Sequence, residues 1–269
     1  MVSRFSIVTP SLNQGRFVDA AIQSVLSQQY PDFEHIIVDG GSTDNTLDIL
    51  KKYSHLNWVS EPDRGQSDAL NKGFRMASGD IVGWLNADDL YLPGCFGKVA
   101  NYFKNYPNVD VVYGDIRWID SKGEVTQLRR EINFDRFMLK YLHILYIPTA
   151  STFMRRQIFD DGHFLDVDYH YAMDYEFVYR LADAGYRFAH IPAFLADFRW
   201  HLDNKSSDTS GKQGIEHRKV QMDRDPLLSR FSSRRAREVL LRLLTFSART
   251  KRYFAKGIRG YYLTQWRMQ

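Results

Sequence analysis

Cysteine is almost absent: the 269-residue chain holds one, Cys95. That excludes an internal disulfide framework and a cysteine-rich zinc site, and it points to a reducing compartment. No stretch of 18 apolar residues occurs, so no segment is expected to cross a bilayer. Residues 1–10 run straight into strand-like sequence without the apolar core of a signal peptide. The dinucleotide fingerprint G-x-G-x-x-G and the phosphate loop G-x-x-x-x-G-K-[ST] are both missing. Internal repeats and low-complexity tracts are missing as well. Acid is scarce in one place. Residues 230–269 hold eleven Lys and Arg but one acid, Glu238. The net charge of +4 therefore splits into −6 for residues 1–229 and +10 for the tail. The body is mildly acidic, while the basic tail suits an acidic partner, anionic lipid or nucleic acid.

What is present suffices for a packed core. Apolar residues make up 44% of the chain, which argues against global disorder. The length fits one generous domain, or a domain with an appendage. Over residues 1–90, strand-like and helix-like segments alternate. Strands are expected at 5–9, 34–38, 58–60 and 81–85, and helices at 17–28, 44–53 and 67–77. Ser42 or Thr43 is expected to cap the second helix. Strands separated by helices imply right-handed crossovers and a largely parallel sheet. Further strands are expected at 109–115 and 117–120, with a turn at Ser121-Lys122-Gly123, and then at 150–154 and 194–199. A helix is expected at 172–184. Residues 203–214 read as a mobile loop. The tail from about Ser232 reads as an amphipathic helix. Val239, Leu240, Leu243, Leu244 and Phe246 give it apolar bulk, Arg235, Arg237, Arg242, Arg249, Lys251 and Arg252 give charge, and Tyr253, Phe254, Tyr261, Tyr262 and Trp266 add aromatics.

This alternation locates a site. In open α/β sheets, ligands bind beyond the carboxyl ends of the strands. Those junctions are Thr9-Pro10-Ser11, Asp39-Gly40-Gly41, Glu61-Pro62-Asp63-Arg64 and Asn86-Ala87-Asp88-Asp89. Adjacent carboxylates such as Asp88 and Asp89 repel unless a cation lies between them or one holds a proton. A hard divalent ion takes oxygen ligands and leaves positions for phosphate oxygens. A pair that merely caps a turn before Leu90-Tyr91-Leu92-Pro93 is an equal alternative. Asp39 precedes two glycines, which allow close approach of a ligand or simply a turn that closes the strand. Asp174, near a helix start, suits a general base or a residue favoured by the helix dipole. His201 suits a ligand to metal or phosphate, or a structural histidine.

Taken together, these pieces resemble the family 2 glycosyltransferases. The likeness is carried by Ile7-Val8-Thr9-Pro10-Ser11-Leu12-Asn13, Val38-Asp39-Gly40-Gly41-Ser42-Thr43-Asp44-Asn45-Thr46, Ser60-Glu61-Pro62-Asp63-Arg64-Gly65 and Asp68-Ala69-Leu70-Asn71-Lys72-Gly73. It continues through Ala77-Ser78-Gly79-Asp80, Trp84-Leu85-Asn86-Ala87-Asp88-Asp89, Met173-Asp174 and Arg199-Trp200-His201. It covers about residues 3–207. The resemblance implies the GT-A fold: an α/β, Rossmann-like, mostly parallel central sheet flanked by helices, here with a helical C-terminal extension. Residues 1–207 are the expected catalytic domain, with a nucleotide-sugar half at 1–100 and an acceptor half at 101–207. Residues 208–269 are the expected loop and basic helical extension.

Roles follow from the resemblance position by position. Thr9 and Asp39 match residues that contact the nucleoside, with Asp39 on the base, and Asp63 continues that subsite. Asn86-Ala87-Asp88 matches the Asp-x-Asp metal motif, with Asp88 as the direct ligand of Mn2+ or Mg2+. Asp174 matches the general base on the acceptor hydroxyl. His201 matches a residue near the metal and diphosphate, where Arg199 is a further partner. The implied reaction is an inverting, single-displacement transfer from a nucleotide-diphosphate sugar, foremost a UDP-sugar, to a hydroxyl of a glycan or lipid-linked acceptor. Such chemistry belongs to polysaccharide and cell-envelope synthesis at the cytoplasmic side of a membrane.

Two positions depart from the family pattern. Asn86 stands where aspartate is common and brings no charge. Leu70 stands where many relatives carry arginine, so Arg64, Lys72 and Arg199 are the candidates for charge near the diphosphate. A non-catalytic nucleotide-sugar-binding module and a sugar-nucleotide pyrophosphorylase are the rival readings. The second lacks its Gly-rich amino-terminal phosphate loop here. No nucleic-acid-binding motif occurs in the body. The tail is expected either to pack on the body or a second subunit, or to rest on anionic lipid through residues 230–269.

Overall fold

A computed structural model describes residues 3–142, 144–202, 204–205 and 210–261. Its first strand, β1 (Phe5–Ser11), is buried along its whole length. Such a strand must be covered on both faces, and alternation sorts its side chains between two cores. Phe5 and Ile7 join one cluster, and Val8 joins the other. β2 (Phe33–Asp39), β3 (Leu56–Ser60) and β4 (Ile81–Trp84) extend the sheet in parallel, in the order β3-β2-β1-β4. The crossovers are α1 (Val18–Leu26), α2 (Thr46–Leu50) and α3 (Gln66–Met76). Ala69, Leu70 and Phe74 of α3 pack on Val8, Ile36, Val38 and Val82. On the other face, α4 (Cys95–Asn105) brings Phe96, Val99 and Phe103 against Phe5, Ile7 and Ile81.

The second half makes the sheet mixed. β5 is the short Leu90–Tyr91, β6 is Val111–Ile119, β7 is Val125–Arg129, β8 is Thr152–Arg155 and β9 is Phe188–Arg199. The strand order continues β4-β8-β6-β9-β5, and β7 pairs with β6. β8 runs antiparallel to β4 and β6, whereas β9 runs parallel to β6. The parallel expectation therefore holds for β3-β2-β1-β4 and for the β6–β9 pair, while β8, β7 and β5 pair antiparallel. Two strands expected at 109–115 and 117–120 are one strand, β6. Its register against β9 shifts on both sides of Asp115, because Gly114 pairs with Ile191 and Asp115 with Phe194. Pro192 and Ala193 bulge out there. Proline cannot donate to a ladder and is tolerated at a bulge, so β9 reads from sequence as starting only at residue 194.

Helices collect on the carboxyl side of the chain. α5 (Arg136–Tyr141), α6 (Gln157–Asp160), α7 (Met173–Asp183), α8 (Lys212–Arg224), α9 (Pro226–Ser229) and α10 (Arg234–Ile258) follow one another among the later strands. The helix expected at 172–184 is α7. The expected mobile loop at 203–214 is partly α8, which starts at Lys212, and residues 203 and 206–209 lie outside the described residues. The amphipathic tail is α10, capped by Ser233, whose side chain accepts the Ala236 N–H. Its Leu241 and Ala248 enter the same core as α5 and α7. Tyr262 and Trp266 lie outside the described residues.

Candidate active site

β1, β2, β3 and β4 all end at one edge of the sheet, with Ser11 paired to Asp39 and Asp39 to Ser60. Residues from this edge border a cavity of about 900 Å³. Asp63, Asn86, Asp88, Asp174 and His201 line it. The structure therefore brings together residues from widely separated segments that the sequence singled out.

The two adjacent acids face opposite ways. Asp88 lines the cavity, where its Oδ2 meets His201 Nε2 at 3.0 Å and accepts Asn204 Nδ2 at 3.1 Å. Asp89 is fully buried. Its Oδ1 accepts the Arg199 N–H at 2.9 Å, and its Oδ2 accepts Asn86 Nδ2 at 3.1 Å. Burial, and then the charge of Asp88, push the Asp89 carboxyl well above the ordinary carboxylate range. Repulsion within the pair is relieved by orientation and by that raised pKa.

Asn86 has a role that its charge does not reveal. Its Oδ1 accepts Trp84 Nε1 and Gln66 Nε2, each at 2.9 Å, while its Nδ2 serves Asp89. An aspartate could accept the first two bonds, but it would set a carboxylate oxygen against Asp89. Asparagine is the residue that satisfies all three partners.

Other expected site residues lie around the cavity rather than on its wall. Asp39 is fully buried and closes its own loop, accepting from Gly41 N at 3.1 Å, Ser42 N at 2.8 Å and Ser60 Oγ at 2.7 Å. Gly41 has φ +88°, which the turn after Asp39 requires. Gly40 leaves space for a neighbour, because a Cβ there would lie 2.6 Å from Asp63 Oδ2. Thr9 is buried, with Oγ1 2.9 Å from His35 Nε2. Arg64 is turned to Asp68 on α3 at 3.1 Å. Arg199 clamps the acidic loop: Nε donates to the Asp88 carbonyl at 2.9 Å and one terminal nitrogen to the Asp120 carbonyl at 3.1 Å.

Asp174 sits in the first turn of α7 and lines the cavity. Its Oδ1 accepts the Tyr175 N–H at 2.7 Å. Burial outweighs that bond and pushes its carboxyl up to about 6. With such a pKa the carboxyl is mostly deprotonated at neutral pH, a state that can accept a proton.

Three features escape a reading of the sequence. Glu216 of α8 accepts the backbone N–H groups of His170, Tyr171 and Ala172, at 3.1, 2.7 and 2.8 Å, and so fixes the chain that leads into Asp174. Lys205 adds a cation to the cavity wall. The third is an aromatic wall: Trp118 and Trp200 stack with centroids 5.3 Å apart, and Phe198 lies 5.5 Å from Trp118. The wall depends on the β6–β9 register, which pairs Trp118 with Phe198.

A family profile described as glycosyl transferase family 2 matches residues 6–162. The chain belongs to this family. A curated "PGL/p-HBAD biosynthesis glycosyltransferase" of Mycobacterium bovis is 38% identical over 118 residues, which are 42% of this chain and 46% of that protein. An uncharacterized glycosyltransferase of Nostoc is 30% identical over 128 residues, 44% of this chain and 40% of that protein. The match thus spans less than half of each curated relative. Among solved structures, Staphylococcus aureus TarS 1-349 in complex with UDP-GlcNAc superposes with a TM-score of 0.67 at 18% identity, over 94% of this chain and 74% of that one. A mannosyltransferase of Pyrobaculum calidifontis, in complex with GDP-Man and Mn2+, superposes with a TM-score of 0.61 at 18% identity, over 97% of this chain and 76% of that one. These superpositions show the GT-A fold.

Does a family 2 glycosyltransferase with this loop suit a divalent ion? On the cavity wall the Asp88 carboxylate and the His201 imidazole stand side by side. Among the described residues, no trio of His, Cys, Asp or Glu forms a closed metal cage. That donor pair fits an open site whose other ligands are diphosphate and water oxygens.

Proposed function

We propose that this family 2 glycosyltransferase transfers a sugar from a nucleotide-diphosphate sugar, foremost a UDP-sugar, to a hydroxyl of a glycan or lipid-linked acceptor, with inversion. The observation that carries the reading is the shared cavity. Asp88 and His201 stand on its wall with Asp174, whose carboxyl is tuned to about 6. Asp63, Ser11 and Asn86 border the donor edge. Asp39 and Thr9 shape that edge from beneath, and Arg64 lies at its exposed rim. Lys205 lies where it can meet phosphate charge. Trp118, Phe198 and Trp200 supply flat apolar faces of the kind that sugar rings pack on.

Asp174 takes the proton of the acceptor hydroxyl, whose oxygen attacks the anomeric carbon. The bond to the diphosphate breaks on the opposite side, so one displacement inverts that centre. A divalent ion, Mn2+ or Mg2+, held by Asp88 and His201 would neutralise charge on the departing diphosphate. Arg199 and Asp89 keep the Asp88 loop in place. The complexes of TarS with UDP-GlcNAc and of the mannosyltransferase with GDP-Man support a nucleotide-sugar donor. We place the reaction at the cytoplasmic side. NMR of the product from an α-linked donor tests the stereochemistry: a β-linked product is expected, and an α-linked one contradicts single displacement.

A further inference from the structure

α10 has two apolar faces. Leu241 and Ala248 enter the core, with Leu240, Leu244 and Ala255 packed beside them. On this side Arg252 donates to Glu131 at 2.9 and 3.2 Å, Lys256 lies 3.2 Å from the same carboxylate, and Lys251 pairs with Asp135. The helix is thus already docked. On the other side Val239, Leu243, Phe246, Tyr253 and Phe254 point to solvent, with Leu243 63% and Phe246 72% exposed. Spacings of four, three and seven residues put Val239, Leu243, Phe246 and Tyr253 in one stripe.

Charge says what covers this stripe. Arg235, Arg242 and Arg249, each seven residues apart and each exposed, line one edge of it. Glu238 is the single acid of residues 230–269, and it is paired with Arg234. Apolar side chains flanked by a row of arginines match a bilayer surface with anionic headgroups. A second copy presenting the same face offers no acid to meet those arginines, and nucleic acid does not need the apolar stripe. No helix among the described residues is long and apolar enough to cross a membrane, so the helix lies on the surface.

We infer that the exposed face of α10 is a membrane-docking surface for anionic lipid. Arg252, on the opposite face, lines the cavity. Docking therefore holds the cavity one helix diameter, roughly 10 Å, behind the headgroup layer. The docking itself is independent of the donor chemistry.

Vesicle co-sedimentation of the full chain tests it, using phosphatidylcholine alone and phosphatidylcholine with about one-third phosphatidylglycerol. The wild-type protein is expected to bind the anionic vesicles at least about tenfold better than the neutral ones, since each surface arginine is worth about fivefold. High salt should reduce that binding. Leu243→Glu with Phe246→Glu should abolish it while leaving Tm unchanged. Arg242→Gln with Arg249→Gln, which leaves the apolar stripe and Arg235 intact, should cut the preference for anionic vesicles by about 25-fold. Wild-type protein that ignores anionic vesicles overturns the inference, as does undiminished binding by both variants. A lipid-free dimer that the Leu243→Glu, Phe246→Glu variant dissociates overturns it in favour of a second copy.

Discussion

Replacing Asn86 with aspartate would set a carboxylate oxygen where an amide nitrogen now meets Asp89 at 3.1 Å. Either two carboxylates then meet in this half-buried place, or Asp89, whose pKa is already raised by burial and by Asp88, must hold its proton there. Asn86→Asp should cost about 1–3 kcal/mol of stability, read as a lower midpoint in urea. Adding Asp89→Asn returns an amide donor to the contact and should restore most of that loss; a double variant no better than the single one would refute the pairing. Asp174 carries the second residue-scale expectation. Asp174→Asn should lower kcat by about 10²–10⁴-fold, the usual worth of a general base, with donor affinity kept. Because the carboxyl titrates near 6 and acts deprotonated, activity should fall as pH drops through about 6. A flat profile between about pH 5 and pH 8 would remove Asp174 from the role.

Elements carry the site through contacts that sequence spacing does not record. Glu216 on α8 accepts three N–H groups ahead of α7. Glu216→Ala should lower stability by about 1–3 kcal/mol and lower kcat more than it changes donor KM, because the start of α7 loosens under Asp174. Unchanged kcat in a folded variant would contradict that. Glu131 does similar work for α10. Burial alone would raise its pKa, but Arg129, Arg252 and Lys256 win and hold it below the ordinary value of 4.5. The stabilisation is therefore present above 4.5 and is lost as pH falls through the lowered folded value. Glu131→Ala leaves three cations around a buried void and should cost about 3–5 kcal/mol, measured as a drop in urea midpoint. The parallel half of the sheet was legible because β1, β2 and β4 are apolar runs bounded by turn residues. β9 was only half legible because Pro192 hides a strand that passes through a bulge. α4 was missed despite apolar residues at helical spacing, since Gly97 and its aromatics are weak helix formers. α8 buries only His217, Val220 and Gln221, so its pattern resembles a loop.

For the whole molecule, the strand-end rule pointed to one edge of the cavity, lined by Asp63, Asn86 and Asp88, while Asp174 and His201, read separately from a helix start and from the family resemblance, line it too. What the sequence could not display is how β6 and β9 register, and hence the wall of Trp118, Phe198 and Trp200. Nor could it sort the leucines of α10 between core and solvent, because that depends on where α5 and α7 lie. The molecule joins the strand-end edge and an aromatic wall around one cavity, which α10 borders through Arg252, on the face opposite its exposed stripe. Thermal unfolding with nucleotide sugars, in Mn2+ or Mg2+, tests whether that cavity is the donor site. A cognate donor at about 100 times its Kd should stabilise the wild-type protein by roughly 2.7 kcal/mol, and Asp88→Ala should erase the shift. No shift with any nucleotide sugar, or an equal shift in Asp88→Ala, would contradict a donor site at Asp88.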